Sequence, residues 1–208
     1  MDKLELITGR LEQDVKEKGE TLIQISLQYP VFADKSRHDT NLNRCFSRLA
    51  KNIADGLSFG MLGEARAALD LMPETLPYQI NGTFTTTYNV PGVLSFFTDV
   101  FLYAGGMRGI TYRYANSFLT AAARPLFITA LFPAGTDICG TVSAFVAERQ
   151  GVSISAILSA FSPENFYLTD SGLAVFYEPG AIGPVAGGIS VFTMPFQDRG
   201  PFDPEGCL

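Results

Sequence analysis

Histidine and cysteine, which often act as nucleophiles, bases and metal ligands, are scarce in this chain of 208 residues. The chain contains one histidine, His38, and three cysteines, Cys45, Cys139 and Cys207. No Cys-x-x-Cys or His-x-x-x-His pair brings two of them together, as a zinc site or a disulfide-exchange motif would require. Cys45 and Cys139 fall on apolar faces of predicted helices, which favours buried, inert thiols. We therefore predict no metal site, no cofactor and no disulfide framework.

A hydrolytic site would have to use His38 or a carboxylate. His38 lies in a polar segment before a predicted helix, where a solvent-exposed side chain is the favoured interpretation. Asp70 and Glu74 flank a predicted helix end, and Asp99 lies in an otherwise apolar strand, where alternation favours a solvent-facing position. We therefore expect no catalytic residue. A small hydrolase-like enzyme built from these groups is the alternative.

The stretch "VFYEPGAIGPVAGGISVF", Val175 to Phe192, is rich in glycine and proline but holds only one ionisable side chain, Glu178. A phosphate-binding loop leads into a helix N-terminus, and in the P-loop a lysine follows. Here the stretch leads into a predicted strand, and no lysine follows. We interpret it as a structural corner whose apolar rim is a candidate contact surface. The candidate binding residues are Tyr177, Glu178, Pro179, Ile182, Pro184 and Val185.

Composition excludes several classes of protein. Hydrophobic residues make up 47% of the chain and charged residues 17%, which is typical of a folded globular protein of one domain. With 15 basic and 21 acidic residues the net charge is −6, and no basic cluster is present, so neither nucleic acid nor an anionic membrane surface is an expected partner.

Location depends on whether Met1 is the native start. The first residues lack the pattern of a secretory signal, and no apolar stretch of about twenty residues, the length that spans a bilayer, occurs. If Met1 is native, the expected location is cytoplasmic. If the chain is a trimmed piece of a longer protein, the location is extracytoplasmic.

The N-terminal third is predicted to form two strands and a long helix. Alternation predicts strands at 4–15 and 20–29, with Pro30 ending the second. Apolar residues at three- and four-residue spacing predict a helix over 41–72, with Gly60 as the position for a kink. We expect this helix to pack on an antiparallel sheet through Leu42, Phe46, Leu49, Ile53 and Leu57.

The rest of the chain alternates between runs of strands and shorter helices. Residues 78–119 predict three meandering antiparallel strands, in which Asn81-Gly82-Thr83 is interpreted as a turn. A helix at 136–149 ends at Gly151, and a second short helix precedes Pro163. The last predicted strands lie near 165–169, 172–178 and 189–195. The fold class is therefore α+β: antiparallel sheets packed with one long helix and one or two shorter helices.

These residues carry a resemblance to a known family. The segment "SPENFYLTDSGLAVFYEPGAIGPVAGGISVFTMPF", Ser162 to Phe196, is similar to the C-terminal signature of the bacterial domain of unknown function 3298. The segment "LQYPVF", followed by a long helix, resembles domain of unknown function 4163, which often precedes it. The resemblance implies a single domain over 1–208, with a 4163-like part at 1–75 and a 3298-like part at 76–208.

The resemblance also implies a kind of function. Members of the family include the extracellular, lysozyme-sensing part of the anti-sigma factor RsiV and a region beside a peptidoglycan deacetylase. It implies a non-catalytic binding or interaction module for a protein or a cell-wall-derived ligand. The chain departs from the family loop at Gly180-Ala181, where an aromatic–acidic pair is common, and at Val185, where a second aromatic residue is common. The ligand and the oligomeric state are left open.

Overall fold

The computed structural model describes residues 4–33 and 37–196, and of residues 37–39 it describes the backbone alone. The described residues form the α+β fold predicted from the sequence. The helices and strands are β1 (Leu6–Glu17), β2 (Glu20–Phe32), α1 (Arg37–Leu71), β3 (Tyr78–Val90), β4 (Val93–Tyr103), β5 (Ile110–Leu119), β6 (Arg124–Pro125), α2 (Ile138–Gln150), α3 (Ile154–Ala160), β7 (Phe166–Thr169), β8 (Gly172–Tyr177) and β9 (Ser190–Pro195).

The strands form a six-stranded sheet, in the order β1-β2-β3-β4-β5-β6, and a three-stranded sheet, in the order β7-β8-β9. Strands β1 and β2 are antiparallel, from Leu6 opposite Phe32 to Glu17 opposite Glu20. Strands β2 and β3 are parallel, from Ile23 opposite Tyr78 to Leu27 opposite Gly82. A parallel pair needs a long crossover, which α1 provides. The sequence analysis did not predict this parallel pair.

The chain divides into two compact units. The N-terminal unit holds Glu5–Phe84 and Thr98–Tyr112, and the C-terminal unit holds Thr85–Phe97 and the chain from Arg113 onward. The prediction of a single domain over 1–208, with a 4163-like part at 1–75 and a 3298-like part at 76–208, stays a prediction. Among the described residues, no helix is both long enough and apolar enough to cross a membrane.

In the N-terminal unit, helix α1 packs on β2 through a face made largely of alanine. Leu42 and Phe46 are buried as predicted, and the Phe46 ring lies 5.9 Å from the Phe32 ring. Leu49, Ile53 and Leu57 are only half-buried, so the predicted stripe was wrong at these positions. The centre of the buried face instead runs through Ala50, Ala54, Ala65 and Ala68. Small side chains there allow the helix backbone to lie close to the sheet.

The sequence predicted that β2 ends at Pro30, but the strand continues to Phe32. The backbone N–H of Phe32 donates to the Asn43 side chain at 2.8 Å rather than to a neighbouring strand. Because alternate residues face the same side of a strand, the nitrogen of Pro30 faces that side too. Pairing with β3 ends at Leu27, so no strand there needs the N–H that proline lacks.

The tripeptide Asn81-Gly82-Thr83 lies inside β3, so its interpretation as a turn was wrong. A Cβ on Gly82 would lie 2.5 Å from Leu27 Cδ2. Glycine at this position therefore leaves room for the Leu27 side chain of β2, and it does not mark a reversal of the chain.

In the C-terminal unit, the predicted helix and strand boundaries are confirmed. Asp137 caps α2 by accepting a hydrogen bond from the Gly140 N–H at 3.0 Å, and Gly151 ends it with φ of 66°. Strand β7 is held to β4 by the buried Ser95 hydroxyl, which accepts from the Leu168 N–H at 3.0 Å and pairs with the Ser117 hydroxyl at 2.8 Å.

Candidate functional site

The loop between β8 and β9, residues 178–189, is closed at its base by antiparallel pairing of Tyr177 with Ser190. Gly180 and Gly188 adopt φ of 87° and 71°, a region that disfavours residues with a side chain. The sequence predicted that the loop leads into a strand, and in the structure it leads into β9. The loop connects two antiparallel neighbours of one sheet and contains one 3₁₀ turn at Val185–Gly187.

The candidate binding residues of this loop divide into exposed and buried groups. Val185 is 62% exposed and Pro184 is also exposed, while Pro179 and Glu178 are half-buried. Tyr177 and Ile182 are only 2% and 7% exposed, so they belong to the core and not to a rim. Exposed Ala181 adjoins Ile182 and was not among the candidates. We define the loop rim as Ala181, Pro184 and Val185.

Glu178 connects the loop to β5. One of its carboxylate oxygens accepts a hydrogen bond from the backbone N–H of Arg113 at 3.2 Å, across 65 residues of sequence. The carboxylate is therefore half-buried and lies against another strand. This contact fixes the start of the loop.

The side chain of Arg113 lies among three aromatic rings, and we call this group the arginine–aromatic cluster. Its guanidinium carbon lies 3.6 Å from the centre of the Phe97 ring, and its Nη1 donates to the Tyr167 hydroxyl at 3.2 Å. The ring of Phe176 lies 5.9 Å away. Ring centres of Phe97 and Tyr167 are 5.1 Å apart. Stacking of a guanidinium on aromatic rings stabilises both its position and its charge.

The sequence analysis missed this cluster. Its members come from β4, β5, β7 and β8, and no local spacing relates them. The available signal was a charged residue, Arg113, between Tyr112 and Tyr114 in a strand. That pattern indicates a strand with a partly exposed face, but it does not identify the rings that the guanidinium contacts.

Two buried hydroxyl groups in the same unit have no hydrogen-bond partner among the described residues: those of Ser143 and Tyr177. Burial, and secondarily the charge of Cys139, raises the pKa of Tyr177 to about 12. The phenol is therefore protonated at neutral pH, and it is a poor general base there.

The acidic and thiol groups of the alternative hydrolase site are dispersed. Asp70 is exposed and lies 3.3 Å from Lys18 Nζ, while Glu74 is exposed and Asp99 is half-buried. Cys45 and Cys139 are both half-buried, and burial raises the pKa of Cys45, which favours its thiol form. The remaining candidates are His38, whose side chain lies outside the described residues, and Cys207, which is also outside them.

Among the side chains that the structure describes, those of residues 4–33 and 40–196, no three from His, Cys, Asp or Glu lie close enough together to hold a metal ion. The absence of a metal requirement stays a prediction of the sequence analysis.

Residues 144–197 match the family model described as "Protein of unknown function (DUF3298)". The match covers α3, the three-stranded sheet and the loop with its rim, and it overlaps the segment on which the sequence resemblance was based. The 4163-like segment and the anti-sigma factor context stay predictions.

Two solved structures share the fold. One is a member of the DUF3298 family from Bacteroides fragilis, with a TM-score of 0.62, 17% identity, and coverage of 92% of this chain and 90% of that one. The other is a DUF3298 family protein from Pseudomonas aeruginosa, with a TM-score of 0.60, 14% identity, and coverage of 92% and 91%. At these identities the likeness concerns the fold.

Curated relatives are the immunogenic protein MPB64 of Mycobacterium bovis and the immunogenic protein MPT64 of Mycobacterium tuberculosis. Each is 26% identical over 140 residues, a match that covers 62% of this chain and 61% of the relative. The match thus spans about three fifths of the length of these relatives.

Proposed function

We propose that this chain is a non-catalytic binding module whose loop rim, Ala181, Pro184 and Val185, contacts the ligand. The observation that carries the proposal is the 62% exposure of an aliphatic side chain, Val185, at the tip of a conformationally restricted loop. Exposed apolar groups in such a position are typical of contact surfaces.

The loop is fixed before any ligand arrives. Glu178 accepts a hydrogen bond from β5 at its start, Ile182 is buried in the core at its middle, and Ser190 pairs with Tyr177 at its end. A surface that is already ordered loses little conformational entropy on binding. This arrangement favours recognition of a partner by shape.

The chemistry of the loop supports contact in preference to catalysis. Its one ionisable side chain, Glu178, accepts a hydrogen bond from β5. The first hydroxyl group after the loop is that of Ser190, which lies in β9. Neither a nucleophile with an adjacent base nor a pair of carboxylates is present in the loop. The ligand class that we propose is a protein or a cell-wall-derived molecule, since the resemblance is to a family with members that act at the bacterial envelope.

The proposal is tested by titrating the chain with solubilised peptidoglycan fragments and with envelope proteins captured from the source cell. We expect Val185→Asp to weaken binding by about tenfold or more, because a carboxylate at the rim would be desolvated on contact. The matched control is Met107→Asp, which places the same charge at a fully exposed apolar residue outside the C-terminal unit.

Equal weakening by both substitutions would mean that the rim is not the contact surface. Glu178→Gln keeps an oxygen that can accept from the Arg113 N–H, so we expect folding and binding to stay nearly unchanged. An enzymatic activity that this variant abolished would overturn the proposal and favour the hydrolase alternative.

A further inference from the structure

Strand β1 lies at one end of the six-stranded sheet, so among the described strands only β2 pairs with it. The Ala33 N–H donates to the Glu5 C=O at 3.1 Å, one step beyond the pair of Leu6 with Phe32. In an antiparallel pair, hydrogen-bonded residues alternate with residues whose N–H and C=O point away from the partner strand. The backbone groups of odd-numbered residues of β1 therefore face β2, and those of even-numbered residues point away from it.

We define the open edge as the five residues of β1 whose backbone groups point away from β2: Leu6, Thr8, Arg10, Glu12 and Asp14. At about 3.4 Å per residue, the open edge is about 27 Å long. It contains no proline, and the register shift of β1 comes only after Val15. Proline, bulges and short strands are the common means by which an edge is protected from pairing with another chain. The open edge has none of these.

Apolar side chains beside the open edge are incompletely covered. Leu11 and Val15 lie opposite the buried Leu27 and Ile23 of β2, but they are themselves only half-buried. Ile7 is 54% exposed. All three are odd-numbered, so they lie on the same face of the strand. A further strand beside β1 would cover them.

We propose that the open edge pairs with the open edge of a second copy of the chain, antiparallel and with Leu11 opposite Leu11 at a two-fold axis. In this register Arg10 of each copy lies opposite Glu12 of the other, and Ile7 lies opposite Val15. The two six-stranded sheets then form one continuous sheet. The inference does not rest on the loop rim, which belongs to the other unit.

The charges of β1 select this register over its neighbours. Backbone pairing requires even-numbered residues to face each other, so only certain registers are possible. A two-fold axis at Arg10 places two guanidinium groups opposite each other, and an axis at Glu12 places two carboxylates opposite each other. An axis at Gln13 places Arg10 opposite Lys16 and Glu12 opposite Asp14. Like charges directly opposite each other destabilise a sheet, and opposite charges stabilise it.

Arg10 and Glu12 are available for pairing with a second copy. Both are exposed, and within the described part of the chain neither side chain takes part in an ion pair or a hydrogen bond. Asp14, in contrast, lies 3.6 Å from Lys16 of its own strand, and the proposed register places it opposite the uncharged Thr8. The register therefore uses the two charges that have no partner in their own copy.

Helix α1 leaves room for the second copy. A two-fold axis perpendicular to the sheet places both copies of α1 on the same face, each packed on its own β2. Strands lie about 4.8 Å apart, so the two β2 strands, three spacings from each other, are about 14 Å apart. Packed helices approach to about 8–10 Å, so the two helices fit side by side without a clash.

Sedimentation equilibrium of the full chain from about 1 µM to about 1 mM tests the pairing, since this range covers moderate affinities. We expect a monomer–dimer equilibrium. Arg10→Glu and Glu12→Arg each place like charges opposite each other, so each should weaken the dimer by about tenfold or more. An equimolar mixture of the two variants should dimerise again, because every facing pair then joins opposite charges. Arg44→Glu, the same change at an exposed residue of α1, is the control and should leave the dissociation constant unchanged.

The backbone hydrogen bonds have a test of their own. In amide hydrogen exchange followed by NMR, the N–H groups of Thr8, Arg10 and Glu12 should exchange more slowly as the protein concentration rises. Those of Gly9 and Leu11 face β2 and should not change with concentration. Thr8→Pro removes an N–H of the open edge but none that faces β2, so it should weaken the dimer by about tenfold or more while the chain stays folded.

The inference is overturned if the wild type is monomeric over the whole range, or if the mixture of charge variants dimerises no more strongly than each variant alone. A dimer in which the exchange of the Thr8, Arg10 and Glu12 amides is independent of concentration would also contradict it. Far-ultraviolet circular dichroism establishes that each variant is folded. If Thr8→Pro does not fold, the charge variants and the exchange of the wild type decide.

Discussion

Individual glycines of the β8–β9 loop differ in what the backbone requires of them. Gly180 and Gly188 have positive φ, and a Cβ on Gly180 would lie 2.9 Å from Val185 Cγ2. We expect Gly180→Val and Gly188→Val to lower the free energy of unfolding by about 1–3 kcal/mol, since a β-branched residue is strained in this region. Urea unfolding followed by circular dichroism measures the loss.

Gly183 and Gly187 are the matched controls for that prediction. Neither has positive φ, and a Cβ on Gly187 would only touch Pro184 at 3.8 Å. Valine at these two positions should change the free energy of unfolding by less than about 0.5 kcal/mol. Similar losses for all four variants would contradict the assignment of the loss to backbone conformation. The sequence showed that the loop needs glycine but not which ones, because composition does not encode φ.

Because of Tyr177, the stability of the folded chain depends on pH in the alkaline range. Burial raises its pKa to about 12 in the folded chain, against about 10 when unfolded. Between these values the folded state keeps a proton that the unfolded state has lost, so stability is full below about pH 10 and falls as pH rises toward 12. A rise of this size corresponds to a loss of about 2–3 kcal/mol.

The variant Tyr177→Phe isolates this effect, because it differs from the wild type only in the Tyr177 hydroxyl. Between about pH 9 and about pH 12, we expect the unfolding free energy of the variant, measured in urea, to fall by about 2 kcal/mol less than that of the wild type. Near pH 8 it should be about as stable as the wild type, since the hydroxyl it removes has no partner among the described residues. Parallel curves for the two proteins would contradict the assignment.

Residues of the candidate site were predictable only where the signal was local. Glu178 was chosen as a candidate because it is the single charge in a glycine-rich stretch. Its contact with Arg113, and the stacking of Arg113 on Phe97, depend on which strands become neighbours. Tyr177 was assigned to the rim although it is core, because alternation does not hold in β8, where every residue is buried.

Helix α1 allows the packing of a whole element to be tested. Phe46 is 1% exposed and its ring packs near Phe32, so Phe46→Ala should cost about 3–5 kcal/mol of unfolding free energy. Leu49 lies one turn further along but is half-buried, so Leu49→Ala should cost clearly less, about 1 kcal/mol. Chemical denaturation of the two variants checks the order, and a larger loss for Leu49→Ala would place the packed face elsewhere.

Elements themselves were well predicted, since their signals lie within a few residues. The Gly151 terminator and the alternation of β1 and β2 predict these elements from nearby residues alone, although β2 continues past Pro30 to Phe32. Pairing of β2 with β3 could not be predicted in this way, because Ile23 and Tyr78 meet only across the whole length of α1. The rotation of the packed face of α1 toward Ala54 was missed for a related reason: burial of alanine depends on how closely the helix approaches the sheet.

Whole-molecule composition gives the remaining prediction, which concerns metal dependence. One histidine and three dispersed cysteines are too few for a tetrahedral nitrogen and sulfur site unless distant residues converge. A structural metal would contribute to folding directly, so its removal would lower the melting temperature. We expect the chain to melt at the same temperature with and without excess chelator, and re-addition of zinc or calcium to leave the midpoint unchanged. A drop of several degrees with chelator, reversed by one of these ions, would show that distant ligands do converge and would overturn the prediction.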